Sequence, residues 1–109
     1  MRGRMPDTSD CIEIVVEIDS ELLPIIPSFL ESRWSDCALI ERLLEDGNHD
    51  EISRLGHRLK GAGGSYGFDA ITDIGIALER AAIRQDHEAV VQASAMLQNY
   101  LKRVKVVYV

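Results

Sequence analysis

A chain of 109 residues, 46% apolar and 28% charged, is long enough for one domain that builds its core without disulfide or metal staples. Its net charge of −6 and pI near 4.9 argue against nucleic acid and against an anionic membrane as partners, so any basic function must be a local patch. Cys11 and Cys37 form no CxxC pair and fit reduced thiols in the cytoplasm; no apolar run is long enough for a bilayer span, and none follows the basic N-terminus as in a signal peptide.

Taken in chain order, residues 1–10 read as a frayed tail. In CIEIVVEID (11–19) the β-branched residues favour an extended segment, while the spacing also permits a helical turn. Residues 1–19 are therefore set apart as an N-terminal extension, and one domain is expected over residues 20–109. A first helix should start near Pro27, whose missing N–H suits a first turn. Its apolar stripe is Phe29, Leu30, Trp34, Cys37, Ala38, Ile40, Leu43 and Leu44, with Gly47 as the stop. Asn48 and Glu51 resemble a capping box that opens a second helix. Its inward face is Ile52, Leu55, Gly56, Leu59, Ala62, Gly63 and Tyr66, and Gly67 should end it. Asp69 is the expected cap of a third helix that turns Ile71, Ile74, Gly75, Leu78, Ala81 and Ala82 inward. RQDHE (84–88) is a polar turn with Asp86 as the next cap. The fourth helix carries Val90, Ala93, Leu97, Tyr100, Leu101 and Val104, and the β-branched VKVVYV can leave it. Four helices with short connections predict an all-α fold, an antiparallel up-down four-helix bundle.

GHRLKGAGGSYGF (56–68) holds five of the eight glycines, yet the apolar period runs through it, so it reads as helix and not as loop. Each interior glycine costs ~0.5–1 kcal/mol relative to alanine, so their number needs a reason. With Ile52, Leu55, Leu59 and Ala62 inward, His57 points outward and shares that face with Ser53, Lys60, Gly61 and Gly64. Absent side chains there would let another protein's backbone or a phosphoryl group approach the ring. Spacing alone leaves two readings open: an ordinary exposed histidine with glycines that ease packing, or a functional one. A metal site is not expected, because His49, His57 and His87 lack i,i+4 spacing and the cysteines are remote. A Walker loop and a G-x-S-x-G elbow are both absent.

HRLKGAGGSYGF resembles the signature of histidine phosphotransfer (HPt) domains, with His57, Leu59, Lys60, Gly61, Gly64, Gly67 and Phe68 in register. The helical pattern from about residue 20 to 104 is similar to the family's bundle. The resemblance implies a cytoplasmic two-component phosphorelay in which His57 accepts a phosphoryl group from a receiver-domain aspartate or a histidine kinase. A response regulator would then take the group. It implies for Glu79, twenty-two residues on, the carboxylate that holds one ring nitrogen and leaves the other as nucleophile. Lys60 would stabilise phosphoryl oxygens. Arg54 and Arg58 would meet the acidic receiver pocket, or are ordinary solvated arginines.

The resemblance implies no cofactor of the protein's own, with a divalent metal supplied by the receiver. It also implies a monomer whose partners are a receiver domain or a hybrid histidine kinase, with neither nucleic acid nor membrane. Without an ATP-binding or kinase domain the chain reads as a carrier. Two alternatives remain. One is a regulatory module that binds a receiver or kinase without carrying phosphate, which the intact His57 disfavours. The other is the phosphoacceptor domain of a chemotaxis-type kinase, which the short chain disfavours.

Overall fold

Asn48 and Asp86 each accept a hydrogen bond from the backbone N–H three residues on, and so fix the start of a helix. The computed structural model describes residues 12–109; the tail at 1–10 and Cys11 lie outside the described residues. Four helices follow one another: α1 (Ile26–Glu45), α2 (His49–Tyr66), α3 (Asp69–Ile83) and α4 (His87–Arg103). Contacts of α1 with α2 and α4, and of α3 with α2 and α4, close them into a four-helix bundle. Gly67 adopts φ +87° and ends α2, as a left-handed C-terminal residue does. The next residue, Phe68, is fully buried and stacks on Phe29 of α1 at 5.3 Å, so the end of α2 is pinned into the core.

The fold is not purely α-helical. Strand β1 (Ile14–Ile18) pairs in parallel with β2 (Val104–Tyr108), Ile14 opposite Val104 and Ile18 opposite Tyr108. A parallel pair needs a long crossover, and here the whole bundle supplies it. Ile14, Val16 and Ile18 alternate with exposed neighbours and, with Val104, Val106 and Tyr108, pack on the core. Thus the sheet ties part of the segment set apart as an extension to the far end of the chain. Val104 belongs to β2 and not to the apolar stripe of α4.

Three further expectations differ. Trp34 is 42% exposed and Ala38 is also exposed. At 100° per residue they stand about 140° and 180° round α1 from the buried Phe29. The positions that do continue the Phe29 face are Arg33 and Asp36, which pair with each other at 2.9 Å. The Arg33 guanidinium lies 4.7 Å from the Phe29 ring centroid. A polar pair inside the stripe therefore misplaces an apolar count. On α2 the inward face is as expected: Gly56 and Gly63 are buried, and the half-buried Ala62 packs on the core. Asp69 does not cap α3: it is the first helical residue, and Phe68 holds the cap position without a side-chain bond. The Asp69 carboxylate still complements the positive end of the helix from its first turn.

Cys37 is a free thiol buried in the core of α1, and that burial pushes its pKa up to about 11. Little thiolate exists at pH 8, and the thiolate is the reactive form. Iodoacetamide at pH 8 should leave Cys37 unmodified in the native protein and alkylate it in denaturant, as read by peptide mass spectrometry.

Candidate functional site

At its closest points the α2/α3 seam is built without side chains. A Cβ on Gly56 would stand 2.6 Å from the Glu79 backbone nitrogen, and one on Gly75 would stand 2.5 Å from that of Lys60. A Cβ on Gly63 would meet the Thr72 nitrogen at 2.6 Å and the Phe68 carbonyl oxygen at 2.8 Å. Glycines therefore let the two backbones touch over residues 56–63 and 68–79. That closeness brings Glu79, on α3, beside His57 and Lys60, on α2. The partners run in opposite order along the two helices: residue 56 meets 79, and residue 63 meets 68 and 72.

His57 stands outward, its side chain 66% exposed. Its Nδ1 lies 3.2 Å from Glu79 Oε2, and the Lys60 ammonium lies 3.5 Å from Glu79 Oε1. The Glu79 side chain is only 24% exposed. A carboxylate can only accept, so Nδ1 carries the proton and the neutral ring keeps its lone pair on Nε2. Glu79 thus serves both neighbours at once. It orients the imidazole through one oxygen and holds the ammonium through the other, and Nε2 remains as the unprotonated nitrogen of an exposed ring.

The remaining residues of that face differ in their engagement. Gly61 and Gly64 are exposed; a Cβ on Gly61 would meet nothing within 4 Å, and one on Gly64 only Thr72 Oγ1 at 3.8 Å. Two positions of the outward face beyond His57, Gly61 and Gly64, therefore carry no side chain. The Ser53 hydroxyl donates to the Asp50 carbonyl and turns back on its own helix. Arg54 pairs with Glu51 on the surface, so its charge is partly answered within α2. Arg58 points to the other side of His57, where it lines a cleft of about 230 Å³ with Arg33, Asp36, Leu55, Leu59 and Ala62. Burial raises the Asp36 carboxyl above its ordinary range, with Arg33 and then Arg58 pulling it back.

Sequence reasoning missed Thr72. Its hydroxyl donates to the Lys60 carbonyl at 3.0 Å, across the seam. The available signal was its spacing: Thr72, Gly75 and Glu79 recur at three- and four-residue steps and share a face of α3.

Among the described residues no group of three or more His, Cys, Asp and Glu side chains could hold a metal ion, and no helix is long and apolar enough to cross a membrane. Comparison with curated proteins and with solved structures finds no match. The Hpt domain family model matches residues 25–106, a span that takes in all four helices and every residue of the site just built, and leaves out β1 and the end of β2. On that match, with an exposed imidazole oriented by a carboxylate on the second helix of a four-helix bundle, the chain belongs to the Hpt domain family.

Proposed function

We propose that this protein is a phosphocarrier: His57 takes a phosphoryl group from a receiver-domain aspartate or a histidine kinase and yields it to a response regulator. Membership of the Hpt family supports a histidine phosphotransfer role in a phosphorelay. The observation that carries the specific reading is the chain Lys60–Glu79–His57, which leaves Nε2 as the one ring nitrogen able to attack. In the forward step the Nε2 lone pair forms an N–P bond while the aspartyl O–P bond breaks, and the electron pair leaves with the carboxylate. The proton on Nδ1 stays against Glu79, and the Glu79 carboxylate answers the positive charge that builds on the ring. The return step to the next receiver reverses these bonds.

Phosphoryl transfer passes through a loose transition state, so position and charge neutralisation dominate. Lys60 sits one turn from His57 and can turn its ammonium from Glu79 to the phosphoryl oxygens. On this reading the divalent ion arrives with the receiver, and the protein works as a cytoplasmic monomer that uses neither membrane nor nucleic acid. The partner-facing surface is Ser53, Arg54, Arg58, Gly61 and Gly64. An up-down antiparallel course suits the opposed order of contacts on α2 and α3 and the short connections.

The deciding experiment mixes the purified protein with phosphorylated receiver domains and looks for acid-labile, base-stable phosphate. Label that never appears on the protein from any receiver or kinase would leave the binding-only module as the better account. Lys60→Ala should slow transfer without unfolding the chain. One charge-assisted contact is worth at most ~1.5–3 kcal/mol, or roughly ten- to a hundredfold in rate. Rapid-quench transfer kinetics check this, and an unchanged rate would remove Lys60 from the mechanism.

A further inference from the structure

The Glu79 carboxylate reaches His57 Nδ1 at 3.2 Å and Lys60 Nζ at 3.5 Å, and both distances depend on how α3 is registered along α2. The glycine contacts at Gly56, Gly63 and Gly75 permit close approach. They are steric and fix position by shape; a hydrogen bond across the seam adds a directional restraint. The Thr72 hydroxyl supplies one. It donates at 3.0 Å to the carbonyl of Lys60, the residue whose side chain holds the second oxygen of Glu79. Thr72 and Glu79 lie seven residues apart on α3, so they share a face about two turns apart. The hydroxyl is half-buried and sits where Gly63 and Gly64 lack side chains; a Cβ on Gly63 would come within 2.6 Å of it. A threonine turned inward at this point, where an apolar residue would serve packing equally well, needs a reason.

We propose that Thr72 is a positioning residue for the phosphotransfer site: its hydrogen bond to the Lys60 carbonyl sets the register of α3 on α2 that holds Glu79 against His57 and Lys60. Its effect on transfer rests on His57 being the acceptor; its effect on the ring does not. Without the bond the seam keeps its glycine contacts and its fold, but the carboxylate loses its fixed place. The His57 ring then samples the tautomer protonated on Nε2, in which the attacking lone pair is gone.

The test compares the wild type with Thr72→Val, which removes the hydroxyl at nearly the same volume, and Thr72→Ser, which keeps it. Nitrogen-15 NMR of the neutral His57 ring reads the tautomer directly. The wild type should be held as the Nδ1–H form. Thr72→Val should gain a measurable Nε2–H fraction and transfer about three- to tenfold more slowly at saturating receiver, the size of one lost hydrogen bond, with KM for the receiver unchanged. Thr72→Ser should restore both. A Thr72→Val protein that melts earlier yet keeps the wild-type tautomer and rate would make Thr72 purely structural and overturn the proposal. So would a serine variant that behaves like valine, or a wild-type ring protonated on Nε2. Should Thr72→Val not fold, Thr72→Ala takes its place in the same comparison. If label appears on a residue other than His57, the phosphocarrier reading fails while the tautomer shift still decides the role of Thr72.

Discussion

A His57→Gln protein should take up no acid-labile phosphate from any donor that labels the wild type, and should melt at the same temperature. The His57 side chain is two-thirds in solvent, and among the described residues its one polar tie is to Glu79. A glutamine amide can still donate to that carboxylate, so the seam keeps its partner, and a surface change of this kind stays within about 0.5 kcal/mol. The chemistry has no such replacement, because an amide nitrogen has no free lone pair to attack phosphorus. The other two histidines are poor substitutes. His49 and His87 begin α2 and α4, and among the described residues neither ring has a carboxylate within ion-pair distance. Phosphate that persists on His57→Gln and maps to His49 or His87 would falsify the assignment of the acceptor.

The helices were legible because their apolar stripes are regular and their ends carry chemistry that a sequence displays: Asn48, Gly67 and Asp86 each cap as their residue type demands. The outward course of His57 followed from the same period. Apart from the Asp69 cap, the errors share one cause, which is that periodicity counts apolar residues and the structure counts contacts. Arg33 and Asp36 take the inward positions of α1 by neutralising each other, and a count that skips them turns Trp34 the wrong way. The parallel sheet joins residues about ninety apart, and no local pattern in either strand names its partner. Glu79 was placed by resemblance to a family, whereas its reach to His57 comes from Gly56 and Gly75, whose missing side chains act on a neighbouring helix that the sequence does not show. Thr72 was hidden for the same reason.

Gly63 and Gly64 are adjacent in sequence and should respond to the same substitution in opposite ways. Gly63→Gln drives a side chain into the backbone of α3, where the Thr72 nitrogen and the Phe68 carbonyl oxygen leave 2.6 and 2.8 Å to its Cβ. Backbone atoms cannot rotate aside, so α2 and α3 must part, at or above the ~1–3 kcal/mol that overpacking costs. In a domain of this size each kcal/mol moves the melting temperature by roughly 4–8 °C, so the loss should be plain in a thermal melt. Gly64→Gln meets only Thr72 Oγ1, at an ordinary 3.8 Å. It should melt as the wild type does or slightly later, because an exposed helical glycine is itself unfavourable by ~0.5–1 kcal/mol. Its effect should fall on transfer instead. Gly64 lies two turns along the outward face from His57, past the equally bare Gly61, and a glutamine there stands beside the path of an approaching receiver. Receiver-to-protein transfer should then drop sharply with the fold intact, while a small-molecule phosphoryl donor, which needs no docking surface, should still label His57. A Gly64→Gln protein that accepts phosphate from the receiver at the wild-type rate would mean that the bare face serves helix packing alone, and that the receiver reaches His57 from the side of α1 or α3.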